Sequence, residues 1–358
     1  MTTARFVDQS GAGAKALDLW PALVIRRAEI EAEVERLASL PHPENGRRHA
    51  IIAHPRSAEP GIGLAPGIRV TLEVLLPGER TRPQRHNATV VSFCIRGRGA
   101  SVIGGKRFAI DLFDVVNIPS MHTYWHVNDG DEVHVRLAYS NAALLEKMNV
   151  YVVEDDPAEE SFVPAEPEEA APERQNPFGT FALGEEGAYL MPYEQLINPS
   201  VVESKPLHWP WRLVRAHLDQ LESLGRSYVG RRLYLLFNPA SGRTNGTTHS
   251  FFATMTLRPP GIVDRPHRHT SAAINYYFAG SGRSTVEGQR YEWEAGDLMF
   301  SAPGWGVHNH ASHAEPVYEL TVQDSPLHIA MESLLWQEDL KRPPAVLGSQ
   351  RGFETNRE

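Results

Sequence analysis

One run of residues is written twice in this chain, and the repetition restricts its fold more than any other feature. The first copy reads LLPGERTRPQRHNATVVSFCIRGRGASVIGGKRFAIDLFDVVNIPSMHTYWHVND. The second reads TLRPPGIVDRPHRHTSAAINYYFAGSGRSTVEGQRYEWEAGDLMFSAPGWGVHNHAS. RPQRH answers RPHRH, IRGRGASVIGGKRF answers FAGSGRSTVEGQRY, and FDVVNIP answers GDLMFSAP. Duplication on this scale predicts two similar units in tandem. Inside each, short β-branched and apolar runs alternate with turn signals such as PGER, RGRG, IGGKR and NDGD. Such punctuation predicts an all-β barrel or sandwich.

The segments around the repeats differ in character. From Ala14 to Leu40 apolar residues recur at three- and four-residue steps through Leu17, Leu19, Leu23, Ile30 and Val34, which predicts a helix stopped by Pro41 and Pro43. Asp, Glu, Pro and Ala dominate from Glu154 to Asn176, the composition of an exposed linker, and a short helix is expected from Trp209 to Leu224. The expected organisation is therefore a helical segment over 1–50, a first barrel over 51–153, a linker and bridging helix over 154–232, and a second barrel over 233–358.

Composition narrows the function classes. A chain of 358 residues is long enough for two packed units, and a formal charge of −9 argues against a protein that envelops nucleic acid. No apolar run is long enough to span a bilayer. The opening residues lack the basic start and apolar core of a secretory signal, and Cys94 is the single cysteine. A cytoplasmic protein without disulfides is expected.

The second copy carries the chemistry. His267 and His269 are one residue apart, and on a strand that spacing puts both imidazoles on one face. PGWGVHNH then turns the chain at Pro303 and Gly304 into another strand bearing His308 and His310. A barrel can bring these strands together and aim His267, His269 and His308 at one ion, for which imidazole suits iron, zinc, copper or nickel. An isolated HxH pair is more often a surface or core pair. Here it follows a PG turn, precedes a Gly-rich hairpin and is answered by the GD…PG…H run. In the first copy the corresponding positions are Gln84, His86 and Tyr124, so that barrel is expected to be metal-free and structural. A separate site at His122 and His126 is the alternative there.

These motifs resemble the cupin superfamily and, more narrowly, the bicupin gentisate and salicylate 1,2-dioxygenases. The likeness extends through LDLWPAL, ENGRRHAIIAHP, PLHWPWRLVRAHLDQL and YLLFNPASG. It implies two tandem jelly-roll barrels with an N-terminal and a bridging helix, and a homo-oligomer, tetramer or dimer. It also implies Fe(II) on His267, His269 and His308, with O2 as co-substrate. The substrate would be a small aromatic hydroxy acid that chelates through its carboxylate and adjacent phenolic oxygen, and its ring would be cleaved between the carbons bearing those groups.

Two departures stand out. The family usually keeps its complete triad in the N-terminal barrel, whereas here the complete one is C-terminal. Asn275 stands where an Arg often clamps the substrate carboxylate, so either Arg258 or Arg283 replaces it or the substrate is not gentisate but a substituted salicylate. His310 matches the family's histidine two residues beyond the last ligand, implying a contact to substrate oxygen and a part in proton transfer. Thr256 stands where a substrate-contacting Gln is common. Strand parity places Ser271, Ala273, Asn275 and Tyr277 on the face of His269. Trp305 is expected to cover the ring, and Glu319 and Thr321 to line the pocket. Packing is the competing role for each of these.

Two other functions compete. Manganese or nickel cupins such as decarboxylases or isomerases add a Glu four or five residues after the HxH pair, where this chain has Ala273 and Ile274. A non-enzymatic small-molecule-binding cupin would not need the retained histidines.

Overall fold

The computed structural model describes residues 3–157, 177–183, 185, 187–193, 204–225 and 230–347. It is dominated by strands, and the duplicated sequence produces duplicated sheets. In the first half one sheet runs His208–Trp209, Val115–Ile118, Val90–Arg96, His134–Ser140, Arg69–Leu75, Arg48–Ile52. In the second the order is Leu23–Ile25, Leu298–Ala302, Ala273–Ala279, Val317–Gln323, Phe252–Arg258, Arg232–Leu235. Smaller sheets close each barrel and carry the HxH segment and its partner strand.

The first strand of each series comes from the other end of the chain. Leu23–Ile25 pairs antiparallel with Leu298–Phe300 of the second barrel, and His208–Trp209 pairs with Val115–Val116 of the first. Each borrowed strand covers an edge that would otherwise expose an unpaired ladder. Each also leads directly into a helix, Arg27–Ser39 and Trp211–Ser223.

Both helix starts are held by the same residue of the repeat. Asp297 accepts from the Arg27 backbone N–H at 2.8 Å and from the Arg26 guanidinium at 2.9 Å. Asp114, its counterpart, accepts from the Trp211 N–H at 2.7 Å and lies 2.8 Å from His208 Nε2. A buried carboxylate at a helix N-terminus satisfies orphan N–H donors and meets the positive end of the helix dipole.

Apolar residues on alternate positions of the large sheets explain why their strands are apolar on both faces. Val91, Phe93, Leu137 and Tyr139 point out of the first barrel and meet Ile274, Tyr276, Leu320 and Val322 of the second in one shared core. Ile30, Val34 and Leu37 of the N-terminal helix and Leu218 of the bridging helix join it. The intervening residues line two separate lumens, around Val90, Cys94, Ile118 and Tyr124 in the first and Tyr277, Trp293 and Met299 in the second.

Two expected boundaries change. The N-terminal helix begins at Arg27 rather than Ala14, and Leu17 is exposed. Pro21 favours an extended chain before it, and Leu23–Ile25 finds a ladder partner in the second barrel instead. Glu154 and Asp155, expected to open the linker, complete a strand with Val153 against Gln84–His86. The rest of that acidic stretch, from 158 to 176, lies outside the described residues.

Replacing Asp297 by Ala should leave the Arg27 N–H without its acceptor and lower stability by about 2 kcal/mol. Asp114→Ala should do the same at the other helix. An unchanged urea midpoint in either variant would remove the anchoring role.

Candidate metal centre

His267 and His308 face each other as a bridge between two strands. The His267 N–H donates to the His308 carbonyl at 3.0 Å, and the His308 N–H donates back at 2.9 Å. His269 follows two residues along on the same face. The ring centroids of His267 and His269 lie 4.5 and 4.8 Å from that of His308. One ligand atom from each residue lies within 4.8 Å of the others, and all three residues are buried.

The backbone sets which nitrogen points inward. Nδ1 of His267 is 2.9 Å from the Arg265 carbonyl, Nδ1 of His269 is 2.9 Å from the Ser271 carbonyl, and Nδ1 of His308 is 3.0 Å from the Gly306 carbonyl. A carbonyl only accepts, so each Nδ1 carries the proton and each Nε2 presents a lone pair. Burial lowers the basicity of all three, and their mutual repulsion lowers it further for His269 and His308. His308 falls to about 3. Three neutral imidazoles with fixed tautomers are the donor set a divalent transition metal requires, so these residues fit such an ion.

His310 lies on the same strand two residues beyond His308, its ring 5.8 Å away, with Nδ1 2.7 Å from the Ser284 hydroxyl. That hydroxyl accepts from Trp293 Nε1 at 2.9 Å. Its own proton is thereby free to go to His310 Nδ1, which leaves an N–H on Nε2.

Comparison with known proteins follows this geometry. Residues 253–351 match the model of an AraC-like ligand binding domain. The chain is 26% identical to a 1-hydroxy-2-naphthoate 1,2-dioxygenase of Nocardioides sp. (strain KP7), over 86% of this chain and 74% of that protein. It is 24% identical to a 5-aminosalicylate 1,2-dioxygenase of Comamonas sp., over 82% of this chain and 75% of that one. A crystal structure of a salicylate 1,2-dioxygenase from Pseudaminobacter salicylatoxidans shares the fold, with a TM-score of 0.71 at 18% identity, covering 93% of this chain and 91% of that one. The chain is therefore similar over most of its length to 1,2-dioxygenases of hydroxylated aromatic acids, and it shares the fold of a salicylate 1,2-dioxygenase.

Within the second barrel the expected pocket residues fall into two groups. Thr256, Glu319 and Tyr277 form one cross-strand row, and Asn275 and Thr321 sit side by side in the next. The Asn275 amide donates to Thr321 Oγ1 at 2.7 Å and accepts from Ser301 Oγ at 2.5 Å, so most of its hydrogen-bonding capacity is used within the sheet. Tyr277 lies flat on Trp293 at 3.7 Å and is fully buried, a packing contact.

The two arginines proposed as substitute clamps are committed elsewhere. Arg258 donates to Asp264 at 2.7 Å and to Glu319 at 3.1 Å. Arg283 lies on the opposite face of its strand from buried Ser284, away from the lumen. Trp305 does not cover the histidines; its ring packs 4.4 Å from the guanidinium of Arg268, which projects away from the ligand pair.

The residue that does lie against the imidazoles is Trp336. Its ring stacks on His269 at 4.9 Å and on His267 at 5.6 Å, and its Nε1 donates to Glu338 at 2.7 Å. It comes from the strand Leu335–Gln337, which pairs with Arg268–His269. Its place can be read from the duplication. LWQE occupies the place in the second barrel that VVED, Val152 to Asp155, occupies in the first.

In the first barrel the counterparts of the three histidines bond to one another. Tyr124 Oη lies 3.1 Å from Gln84 Oε1 and 3.1 Å from His86 Nε2. His126 keeps the His310 arrangement, with Nδ1 2.9 Å from Ser101 Oγ. Among the described residues His122 and His126 are not drawn into a common group. His208 is bonded to Asp114, and His217 and His249 are on the surface.

Substituting His269 or His308 by Ala should reduce bound metal from about one ion per chain to under a tenth, whereas Gln84→Ala should leave it unchanged. Elemental analysis after dialysis decides. Loss of metal in the Gln84 variant would place the site in the wrong barrel.

Proposed function

We propose that the chain is an Fe(II)-dependent ring-cleaving 1,2-dioxygenase acting on a 2-hydroxybenzoate-type acid, with Fe(II) held by His267, His269 and His308. The observation that carries this is the convergence of three carbonyl-oriented imidazoles beside a fourth, His310, that is not a ligand. An iron ion bound there would supply the Lewis acidity and redox capacity that let dioxygen react with an aromatic ring.

The remaining work falls to the chain. Ser284 holds the His310 ring so that its Nε2–H can donate to a substrate oxygen and later return a proton. Trp293 and Tyr277 fix Ser284 and the wall behind it. Trp336 keeps water from one side of the imidazoles. With Arg258 neutralised by Asp264 and Glu319, the substrate carboxylate is left to the metal, with Asn275, Thr256 and Thr321 offering neutral polar contacts.

The relatives' names share one element, a carboxyl group beside a ring hydroxyl, as in 1-hydroxy-2-naphthoate, 5-aminosalicylate and 5-nitrosalicylic acid. That element is the substrate class proposed here, with a substituted salicylate or hydroxynaphthoate favoured over gentisate by the missing arginine. The match to an AraC-like ligand binding domain supports a second reading, a barrel that binds such acids without turnover.

Oxygen uptake by the ferrous protein separates the two. Gentisate, salicylate, its amino-, nitro- and chloro- derivatives and 1-hydroxy-2-naphthoate should be compared. Uptake with at least one is expected; binding without uptake across the panel would favour the second reading. His310→Ala should keep the metal and lower kcat by about 100-fold. Unchanged turnover would remove its role.

A further inference from the structure

The first barrel has no three-histidine group, yet its lumen is not filled. A cavity of ≈190 Å³ opens there, lined by Arg47, Ser92, Tyr124, His126 and Tyr151 among others. We propose that this cavity is a second, metal-independent binding site for a small aromatic carboxylate, with Arg47 as the carboxylate's partner and Ser92 as a hydrogen-bond donor inside. This assignment does not rest on the second barrel being an enzyme.

Three observations support it. Ser92 Oγ is buried without a hydrogen-bond partner and belongs to a residue 2% exposed, on the luminal face of its strand. A buried hydroxyl left unsatisfied costs free energy that a ligand oxygen would recover.

Charge points to an anion. The other cations at the cavity are matched: Arg69 pairs with Glu146 at 2.8 Å, and Arg136 pairs with Glu73 at 2.8 Å. Arg47 forms no ion pair with a carboxylate among the described residues; one guanidinium nitrogen donates to the Arg82 carbonyl at 2.8 Å, and the group lies over the Tyr124 ring at 5.3 Å. Burial displaces the titration of His86, Tyr124, His126 and Tyr151, and the field of Arg47 reaches all four. A guanidinium whose charge no carboxylate matches, with donors left over beside the lumen, favours a carboxylate through charge-assisted hydrogen bonds.

Size and lining point to a ring. Val90, Ile118 and Ala138 supply apolar wall, and Tyr151 adds an aromatic face. An apolar cavity of about 150 Å³ accommodates benzene. The larger space here fits a benzoate, and His49 and Ile51, both exposed, stand at its mouth.

The test is calorimetric titration of benzoate, which lacks the phenolic oxygen needed for chelation, into the full-length protein and its His269→Ala variant. Saturable binding of one benzoate per chain with equal Kd in both is expected. Arg47→Met should weaken it at least 10-fold, and Ser92→Val, which removes the inner donor and narrows the lumen, should also weaken it at least 10-fold. Thermal unfolding of each variant checks the fold; if Ser92→Val does not fold, Arg47→Met alone decides. Loss of binding in His269→Ala, or no change in Arg47→Met, would overturn the site. Inorganic phosphate competing as well as benzoate would show a bare anion site and overturn the aromatic assignment. Zinc binding to His269→Ala that requires His126 would overturn it in favour of a cation.

Discussion

Two buried carboxylates, Asp114 and Asp297, hold the exchange of strands on which the rest of the structure depends. Each caps a helix that arrives from outside its own barrel, and the strand before that helix closes the barrel's large sheet. The leader is therefore part of the second barrel, and the bridge is part of the first. Sheets tied in this way must lie face to face, which explains why the largest apolar core belongs to neither barrel alone. Phe93 shows the result: it grows from the first barrel and packs its ring 5.7 Å from Tyr276 of the second.

Within that frame the histidines need little further support. Period-two geometry brings His267 and His269 to one face, the His267–His308 bridge sets the register, and three carbonyls choose the tautomers. None of this calls for a special loop or strained backbone. The same frame in the first barrel places Gln84, His86 and Tyr124 where they satisfy one another, and two substitutions suffice to replace a ligand set with a hydrogen-bonded network.

What the sequence disclosed follows from range. The repeat and the strand character are written in neighbouring residues, and so is the spacing that puts His267 and His269 on one face. The N-terminal helix was read too long because Leu23–Ile25 chooses its partner some 270 residues away, where no periodicity can reveal it. Arg258 looked like a spare cation because its partners Asp264 and Glu319 come together only in the folded sheet. Trp305 looked like a cover for the site, but Gly304, with φ at +64°, turns the chain so that the indole meets Arg268 instead. Trp336 carries no such signal of its own, because its strand lies past the end of the obvious repeat.

The two lumens also differ in how charge is arranged, and this difference bears on what each can hold. In the first, Glu73 and Arg136 face each other across neighbouring strands. In the second, the same rungs carry Thr256 and Glu319, and the guanidinium has moved to Arg258, two residues along the adjacent strand. There Asp264 and Glu319 flank Arg258, and Asp264 also pairs with Arg231 at 3.4 Å, so the charges of both guanidinium groups are matched. In the first lumen Arg47 stands outside every carboxylate pair among the described residues. A divalent cation placed among neutral imidazoles is repelled by any nearby uncompensated positive charge, and that repulsion strengthens as water is excluded. The duplicated barrel thus offers one interior suited to a cation and one suited to an anion. The residues that separate them are the partners of the arginines as much as the histidines themselves.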